Sequence, residues 1–234
     1  MKKKIVVLSG AGISAESGLA TFRDSGGLWE GYKIEEVATP QAWVKNRALV
    51  LEFYNLRRKD ALTAKPNEGH KALVSLENKF DVTVITQNVD NLHEQAGSSD
   101  IIHLHGELFK SRSTLDENLV YQIDGWELKE GDKCERGSQL RPHIVWFGEE
   151  VPMMINAIRI AKKADYLIVV GTSLQVYPAA GLVDYVPFSS KKYIVDPAFT
   201  PVTNDSNFIY LKEKASSGLV KICHELLSLG ESDG

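Results

Sequence analysis

A glycine turn that directly follows a short apolar run limits how the beginning of this chain can fold. Residues 5–8 are all apolar, and Ser9 leads from them into Gly10-Ala11-Gly12, after which comes a polar segment with helical potential. A buried strand, a glycine turn and a helix start are typical of a phosphate-binding turn, because glycine lets the backbone approach a pyrophosphate and free N–H groups face the anion. A plain tight turn is the other interpretation that this motif leaves open.

Further apolar runs predict the other strands of a sheet. Strands that are apolar on both faces suit a parallel sheet covered by helices, and helical patterns lie between these runs. The alternation predicts an α/β fold with a Rossmann-like, doubly wound parallel sheet and a small inserted module. The predicted strands are residues 5–8, 82–86, 101–104, 166–170 and 192–195, and the predicted helices are 39–64 (one or two), 67–78, 151–164 and 217–229.

We predict that residues 1–234 form a single domain, since this length suffices for one core with a small inserted unit. The Rossmann-like part is expected at about residues 1–30, 80–110 and 142–229. The small module is expected to combine a helical segment, 31–79, with a polar, turn-rich segment, 111–141.

Charge and cysteine content argue against several kinds of protein. The net charge of −4 argues against nucleic acid or an acidic membrane as the main partner. Cys134 and Cys223 are too few for a disulfide framework and agree with a reducing cytosol. The apolar run behind the lysines at positions 2–4 is too short for a signal peptide or a membrane span. We therefore expect a cytoplasmic monomer with no nucleic-acid or membrane partner.

Polar clusters directly follow three of the predicted strands. They are Gly10-Ala11-Gly12, Gln87-Asn88-Val89-Asp90 and Gly171-Thr172-Ser173. In open α/β sheets, ligands bind outside the carboxyl ends of the strands, so the three clusters are expected to converge on one crevice.

Six short motifs occur in a fixed order along the chain, and together they are specific. They are GAGIS at residues 10–14, TFRD at 21–24, QNVD at 87–90, HLHG at 103–106, RPHIVWFGE at 141–149 and GTSLQVYP at 171–178. In these motifs the chain resembles the sirtuins, the NAD-dependent protein deacylases, over about residues 5–215. The resemblance implies NAD as the cofactor and acylated lysine side chains of proteins as the substrate.

The resemblance also implies which residues hold NAD. Ala15 stands where the usual dinucleotide motif has its third glycine, and sirtuins lack that glycine as well. Asn88 and Asp90 would line the nicotinamide pocket, and Phe22 would shield the ribose, although core packing also explains Phe22. The family commonly has asparagine where this chain has Asp196. The implied NAD contacts are Gly10, Ala11, Gly12, Ile13, Thr21, Phe22, Arg23, Trp29, Gln87, Asn88, Val89, Asp90, Gly171, Thr172, Ser173, Asp196 and Ala215.

His105, just before Gly106, is the general base that the resemblance implies, with Asn88 as a second catalytic residue. Histidine takes up a proton near neutral pH and therefore suits this role. The acyl-lysine carbonyl oxygen would attack C1′ of the nicotinamide ribose and expel nicotinamide. His105 would then help to deprotonate a ribose hydroxyl, so that O-acyl-ADP-ribose and free lysine result. On composition alone, the alternatives to His105 are His70, His93, His103 and His143.

Tyr54 and Arg57 point to the kind of acyl group. They are three residues apart, so on a helix they share one face, and Arg can bind a carboxylate with two parallel hydrogen bonds. Sirtuins that remove succinyl and malonyl groups carry a Y-x-x-R pair here, which implies desuccinylase and demalonylase activity beside deacetylation. The residues alone would favour a solvated helical face. The implied peptide contacts are Val145, Phe147, Gly148, Glu149, Leu174 and Val176.

The chain departs from the family pattern where sirtuins generally carry two C-x-x-C pairs that bind a structural zinc. The corresponding positions are Ser113, Asp116, Cys134 and Gly137, so one thiol of four is present. Because structural zinc needs about four ligands, we expect no zinc or other metal.

Two other functions remain open at this stage. A mono-ADP-ribosyltransferase would share the cleavage of nicotinamide but transfer the ribosyl group to a protein side chain. A non-catalytic NAD or ADP-ribose sensor would bind through the same turns but would need no base such as His105.

Overall fold

The structure is a computed structural model that describes residues 2–20, 28–29, 31–198 and 207–229. Within these ranges, no helix is both long and apolar enough to cross a membrane. The strands are β1 (Lys4–Ser9), β2 (Leu28–Trp29), β3 (Tyr32–Lys33), β4 (Asp81–Thr86), β5 (Ile101–His103), β6 (Gly106–Ser113), β7 (Val120–Gln122), β8 (Leu140–Ile144), β9 (Tyr166–Val170), β10 (Lys191–Val195) and β11 (Phe208–Leu211). The α-helices are α1 (Ile34–Val37), α2 (Pro40–Lys45), α3 (Arg47–Ala61), α4 (Glu68–Leu76), α5 (Leu92–Ala96), α6 (Met154–Ala161) and α7 (Ala215–Leu229), and 3₁₀ helices span Ala11–Ile13, Ala15–Ser17 and Ala179–Tyr185.

A six-stranded parallel sheet forms the centre of the molecule, in the order β11-β10-β9-β1-β4-β5. Ile5 of β1 pairs with Val82 of β4 on one side and with Tyr166 of β9 on the other. Because successive side chains of a strand point to opposite faces, Val7 packs under α4 and α7, whereas Leu8 packs under α6. The predicted α/β doubly wound parallel sheet is therefore confirmed.

Some elements differ from the sequence prediction. The segment after the glycine turn forms two short 3₁₀ helices rather than one longer helix. The predicted helix 39–64 is divided at Asn46, whose non-helical backbone (φ −150°, ψ 74°) ends α2. The side chain of Asn46 then accepts the Leu49 N–H at 3.2 Å and so caps α3.

A second, three-stranded antiparallel sheet, in the order β7-β6-β8, packs with α1, α2 and α3 around an apolar core of its own. Arg58 of α3 ties the helix to this sheet, although it is fully buried. Its guanidinium donates to the carbonyls of Trp126 (2.8 Å) and Leu108 (3.1 Å) and to the Asn55 side chain. Burial lowers the pKa of Arg58 to about 10, but three acceptors compensate the buried charge.

The boundaries of the Rossmann-like part and of the small module stay a prediction.

Candidate active site

The glycine turn after β1 packs directly against the loop after β9. Gly10 N–H donates to the Val170 carbonyl (3.0 Å), and Gly12 N–H donates to the Gly171 carbonyl (2.8 Å). Gly171 has φ +62°, and a Cβ added to it would lie 2.3 Å from Ile13 N. Glycine is therefore required because two backbones touch. The N–H groups of Gly10 and Gly12 are thus engaged by carbonyls inside the protein.

Asn88 and Asp90 lie beside this turn and are both buried. Asn88 Nδ2 lies 3.2 Å from both the Gly10 carbonyl and Ser14 Oγ. Ser14 Oγ in turn donates to Asp90 Oδ2 at 3.0 Å, and Leu92 N–H donates to Asp90 Oδ1 at 3.1 Å. Ser14 thus joins the two predicted pocket residues. Ser14 is the last residue of the GAGIS motif, and no local pattern in the sequence predicts this role for it.

Burial and hydrogen bonds act in opposite directions on the pKa of the Asp90 carboxyl. Burial raises the pKa of Asp90, whereas hydrogen bonds from Leu92 N–H and Ser14 Oγ–H lower it. The positive charges of His103 and Arg57 also lower this pKa. Arg57, expected at the acyl group, therefore also acts electrostatically on the Asp90 carboxyl.

His105 follows β5 and is partly buried. Its Nδ1 lies 3.1 Å from the Gln87 carbonyl, so this nitrogen carries the proton and Nε2 has the free lone pair. Burial lowers the pKa of His105, and the hydrogen bond to Gln87 opposes that shift. A histidine that stays neutral near pH 7 can accept a proton there, so this geometry suits a general base.

The remaining predicted NAD contacts lie at the same edge of the sheet. Gln87 Nε2 and Leu174 N–H both donate to Thr172 Oγ1, at 3.1 and 3.2 Å. Leu174 has φ 54°, which is uncommon for a residue with a Cβ. Asp196 is buried at the end of β10, and Ala215 is buried at the start of α7. Ala11 begins the first 3₁₀ helix, buried Val89 lies between Asn88 and Asp90, and Ser173 follows Thr172.

Four predicted NAD contacts are beyond what the structure describes. Thr21, Phe22 and Arg23 lie outside the described residues, as does the side chain of Trp29.

Two of the alternative histidines are buried behind the glycine turn. His70 of α4 is 0% exposed and His93 of α5 is 1% exposed, and their rings meet edge to face at 5.0 Å. His93 Nε2 lies 3.0 Å from Ser9 Oγ. Neither His70 Nε2 nor His93 Nδ1 has a hydrogen-bond partner among the described residues. These two side chains belong to the core, and His143 lies in the small sheet on β8.

Tyr54 and Arg57 both lie on α3, as their spacing predicts. Tyr54 is fully buried, and its Oη accepts the Trp146 Nε1–H at 3.1 Å. Burial raises the pKa of Tyr54, whereas the nearby Arg57 charge lowers it. The guanidinium of Arg57 lies over the Phe53 ring, 5.8 Å from its centroid. The phenol stays protonated and can donate its hydrogen, and Arg57 supplies a neighbouring positive charge.

An ion-pair network holds the segment 145–149, which was expected to contact the peptide. The Glu149 carboxylate accepts from Arg141 (2.7 Å) and Arg112 (3.3 Å), and also from Trp146 N–H at 2.8 Å. The Arg141 guanidinium lies 3.3 Å from the centroid of the Trp146 ring. Glu149 thus stabilises the loop 145–149, to which it belongs.

The outer part of this segment is exposed to solvent. Val145 N–H donates to the His105 carbonyl at 2.9 Å, which joins the segment to the predicted base. Phe147 is 46% exposed, and Gly148 (φ +91°) is exposed beside it. Val176, in the loop after β9, is partly buried.

The four positions that correspond to zinc ligands are joined by protein contacts. Ser113 Oγ accepts the N–H groups of Leu115 (3.1 Å) and Asp116 (3.3 Å). A hydrogen bond with Ser113 lowers the pKa of the Cys134 thiol. Asp116 pairs with Arg136 at 3.2 Å. These positions offer one thiol and one carboxylate, and that carboxylate is paired with Arg136, which is fewer than the four ligands of a structural zinc site.

One other group of side chains could hold a metal within the described part of the chain. Ligand atoms of Glu94, His103 and Glu107 all lie within 4.8 Å of one another. Each of these side chains already has a partner, since Glu94 pairs with His103 at 2.6 Å and Glu107 pairs with Lys110 at 2.8 Å.

Known proteins resemble this chain in sequence over nearly its full length. The model of the Sir2 family matches residues 10–178. An NAD-dependent protein deacylase of Bacteroides thetaiotaomicron is 53% identical, over 96% of this chain and 98% of that protein. An NAD-dependent protein deacylase of Helicobacter pylori is 49% identical, over 99% of this chain and 98% of that protein.

Solved structures resemble the chain in fold. A Sir2 homolog in complex with NAD has a TM-score of 0.87 at 38% identity, over 97% of this chain and 91% of that one. A Sir2 protein with a deacetylated peptide and 3′-O-acetyl ADP-ribose has a TM-score of 0.81 at 31% identity, over 96% of this chain and 94% of that one.

Proposed function

This chain belongs to the Sir2 family and is an NAD-dependent protein deacylase, and we propose that it removes succinyl and malonyl groups from lysine while also deacetylating. Tyr54 and Arg57 on α3 carry this proposal, because a buried phenol beside a guanidinium suits an acyl chain that ends in a carboxylate. Trp146 supports it by holding the Tyr54 oxygen from the side of the expected peptide segment.

The chain's own residues would share the chemical work as follows. NAD would supply the ribosyl carbon that receives the acyl oxygen and the nicotinamide that leaves. Asn88 and Asp90 would orient the nicotinamide end, since Ser14 fixes both side chains. His105 Nε2 would accept the proton of a ribose hydroxyl, because Nδ1 is engaged by Gln87. With one water consumed as the acyl group leaves the lysine nitrogen, the products would be free lysine, nicotinamide and O-acyl-ADP-ribose.

Substitution of Arg57 by Met tests the acyl preference. Removing a charged hydrogen-bond donor from a carboxylate costs about 2–3 kcal/mol, which is roughly 30- to 150-fold in kcat/KM. We expect this loss with succinyl- and malonyl-lysine peptides and a much smaller one with acetyl-lysine peptide. Lys45→Met, which removes an exposed charge at the end of α2, is the control and should change neither activity.

Equal loss with all three peptides would refute the role of Arg57. Mass spectrometry of the peptide and of NAD in the same reactions tests the rival functions. An ADP-ribosylated protein side chain would indicate ADP-ribosyl transfer, and intact peptide and NAD would indicate a sensor.

We also propose that the protein folds without zinc. Ser113 accepts two backbone N–H groups and pairs with Cys134, so protein contacts occupy the place where a metal would join the two turns. Elemental analysis of the purified protein should find far less than one zinc per chain. One zinc per chain that persists after dialysis would contradict this proposal.

A further inference from the structure

Two histidines at and just beyond the end of β5 contact consecutive main-chain carbonyls of the loop after β4, residues 87–91, which carries the predicted nicotinamide contacts. His105 Nδ1 lies 3.1 Å from the Gln87 carbonyl, and His103 Nδ1 lies 3.0 Å from the Asn88 carbonyl. Thr86, the last residue of β4, pairs with His103 in the parallel ladder, so the loop begins directly opposite this histidine. The proposed reaction gives His105 a role and leaves His103 without one.

His103 differs from His105 in having acceptors at both nitrogens. Its Nε2 lies 2.6 Å from a carboxylate oxygen of Glu94 on α5, and its side chain is only 9% exposed. A neutral imidazole carries one N–H and cannot donate to a carbonyl and a carboxylate at once. The geometry therefore requires an imidazolium that donates to Asn88 through Nδ1 and to Glu94 through Nε2.

The charges around His103 agree with this protonation state. Burial by itself lowers the pKa of His103, but the hydrogen bond and charge of Glu94, the Asn88 carbonyl and the charge of Glu107 raise it to above its ordinary value. The titratable and charged groups that face His103 are Glu94 and His93 on α5, Asp90 in the loop after β4, and Glu107 with its partner Lys110 on β6.

We propose that His103 is a positioning residue for nicotinamide cleavage, whose imidazolium, held by Glu94, fixes the Asn88 main chain and stabilises the Asp90 carboxylate. The side chain of Asn88 reaches Gly10 and Ser14, so a shift of its main chain would move the amide that faces nicotinamide. This proposal rests on NAD-dependent deacylation and is independent of the preferred acyl group.

The proposed roles require opposite protonation states of the two histidines. His105 must be neutral to accept a proton, whereas His103 must be charged to hold the loop. Activity should fall at low pH as His105 becomes protonated and at high pH as His103 loses its proton. The structure assigns the alkaline side of the pH profile to the pair of His103 and Glu94.

The test measures kcat/KM for NAD from about pH 6 to about pH 10, at saturating acetyl-lysine peptide. Glu94→Gln keeps an acceptor near Nε2 but removes the charge, so the alkaline fall should move down by about one pH unit. The KM for NAD near pH 8.5 should rise about tenfold, because a charged hydrogen bond to the loop is lost. Glu107→Gln, which neutralises a carboxylate that does not hydrogen-bond His103, is the matched control and should shift the profile less.

His103→Asn provides a second variant, since its amide can donate to the Asn88 carbonyl but cannot titrate. It should retain part of the activity and lose the alkaline fall. Glu94→Gln with an unchanged profile and a normal Tm would overturn the proposal, as would a full alkaline fall in His103→Asn. Each variant is measured with acetyl-lysine and with succinyl-lysine peptide, which keeps this test separate from that of Arg57. A defect in NAD binding must lower kcat/KM equally with the two peptides.

Discussion

Mild acid should destabilise this protein strongly, because His70 and His93 are buried without charge. Burial lowers the pKa of His70 to about 4 and that of His93 to about 3, from an ordinary 6.5. The unfolded chain binds protons on both side chains at a pH where the folded protein does not. Stability that is present above about pH 6.5 is therefore lost as the pH falls towards the folded values.

The size of this loss follows from the two shifts. Between about pH 8 and about pH 5, each histidine lowers the free energy of unfolding by about 2 kcal/mol, so the pair accounts for about 4 kcal/mol. A typical domain is stable by about 5–15 kcal/mol, so this loss removes a large share of its stability.

Urea unfolding at a series of pH values measures the loss. His70→Gln and His93→Gln should each reduce the fall in unfolding free energy between about pH 8 and about pH 5 by about 2 kcal/mol. Each variant is compared with itself at the two pH values, so a change in its unfolding free energy that is the same at both pH values cancels. His224→Gln, at an exposed histidine of α7, should leave the fall as it is in the parent protein. If both buried variants keep the full pH dependence, the histidines take up protons without unfolding and the reasoning is wrong.

Two further substitutions test close packing. Gly171→Ala should lower the Tm sharply and abolish NAD binding in calorimetry, since its Cβ would meet Ile13 N at 2.3 Å; normal NAD affinity would contradict this. Arg58→Met should cost about 3 kcal/mol in urea unfolding because the Leu108 and Trp126 carbonyls lose a charged donor, and Arg58→Lys should recover part of it. Equal stability of these variants and the parent protein would show that the Arg58 contacts contribute nothing.

Local patterns in the sequence predict much of this fold. The apolar runs at residues 5–8 and 166–170 identify β1 and β9, because strands buried on both faces leave no polar positions. The polar cluster after each strand places Asn88, Asp90 and Gly171 at one edge of the sheet, as the structure shows.

Contacts between distant segments could not be predicted in this way. Arg58 stands in a basic run beside Arg57, and no local signal shows that it is buried while its neighbour is partly exposed. His103 and His105 stand on either side of Leu104 at the end of one strand. Their protonation states differ only because Glu94, on the helix α5, pairs with His103. Ser14 likewise acquires its role only when the loop that carries Asp90 folds against it.

The backbone contact between Gly12 and Gly171 also bears on how the protein is made. A ribosome completes the first glycine turn early in synthesis, but the carbonyl that fixes Gly12 belongs to a residue translated much later. At roughly 5–20 residues per second, the nascent chain spends many seconds with a glycine turn that lacks its partner. We therefore expect fragments released before β9 to be unable to retain NAD, because their glycine turn lacks the backbone that holds it.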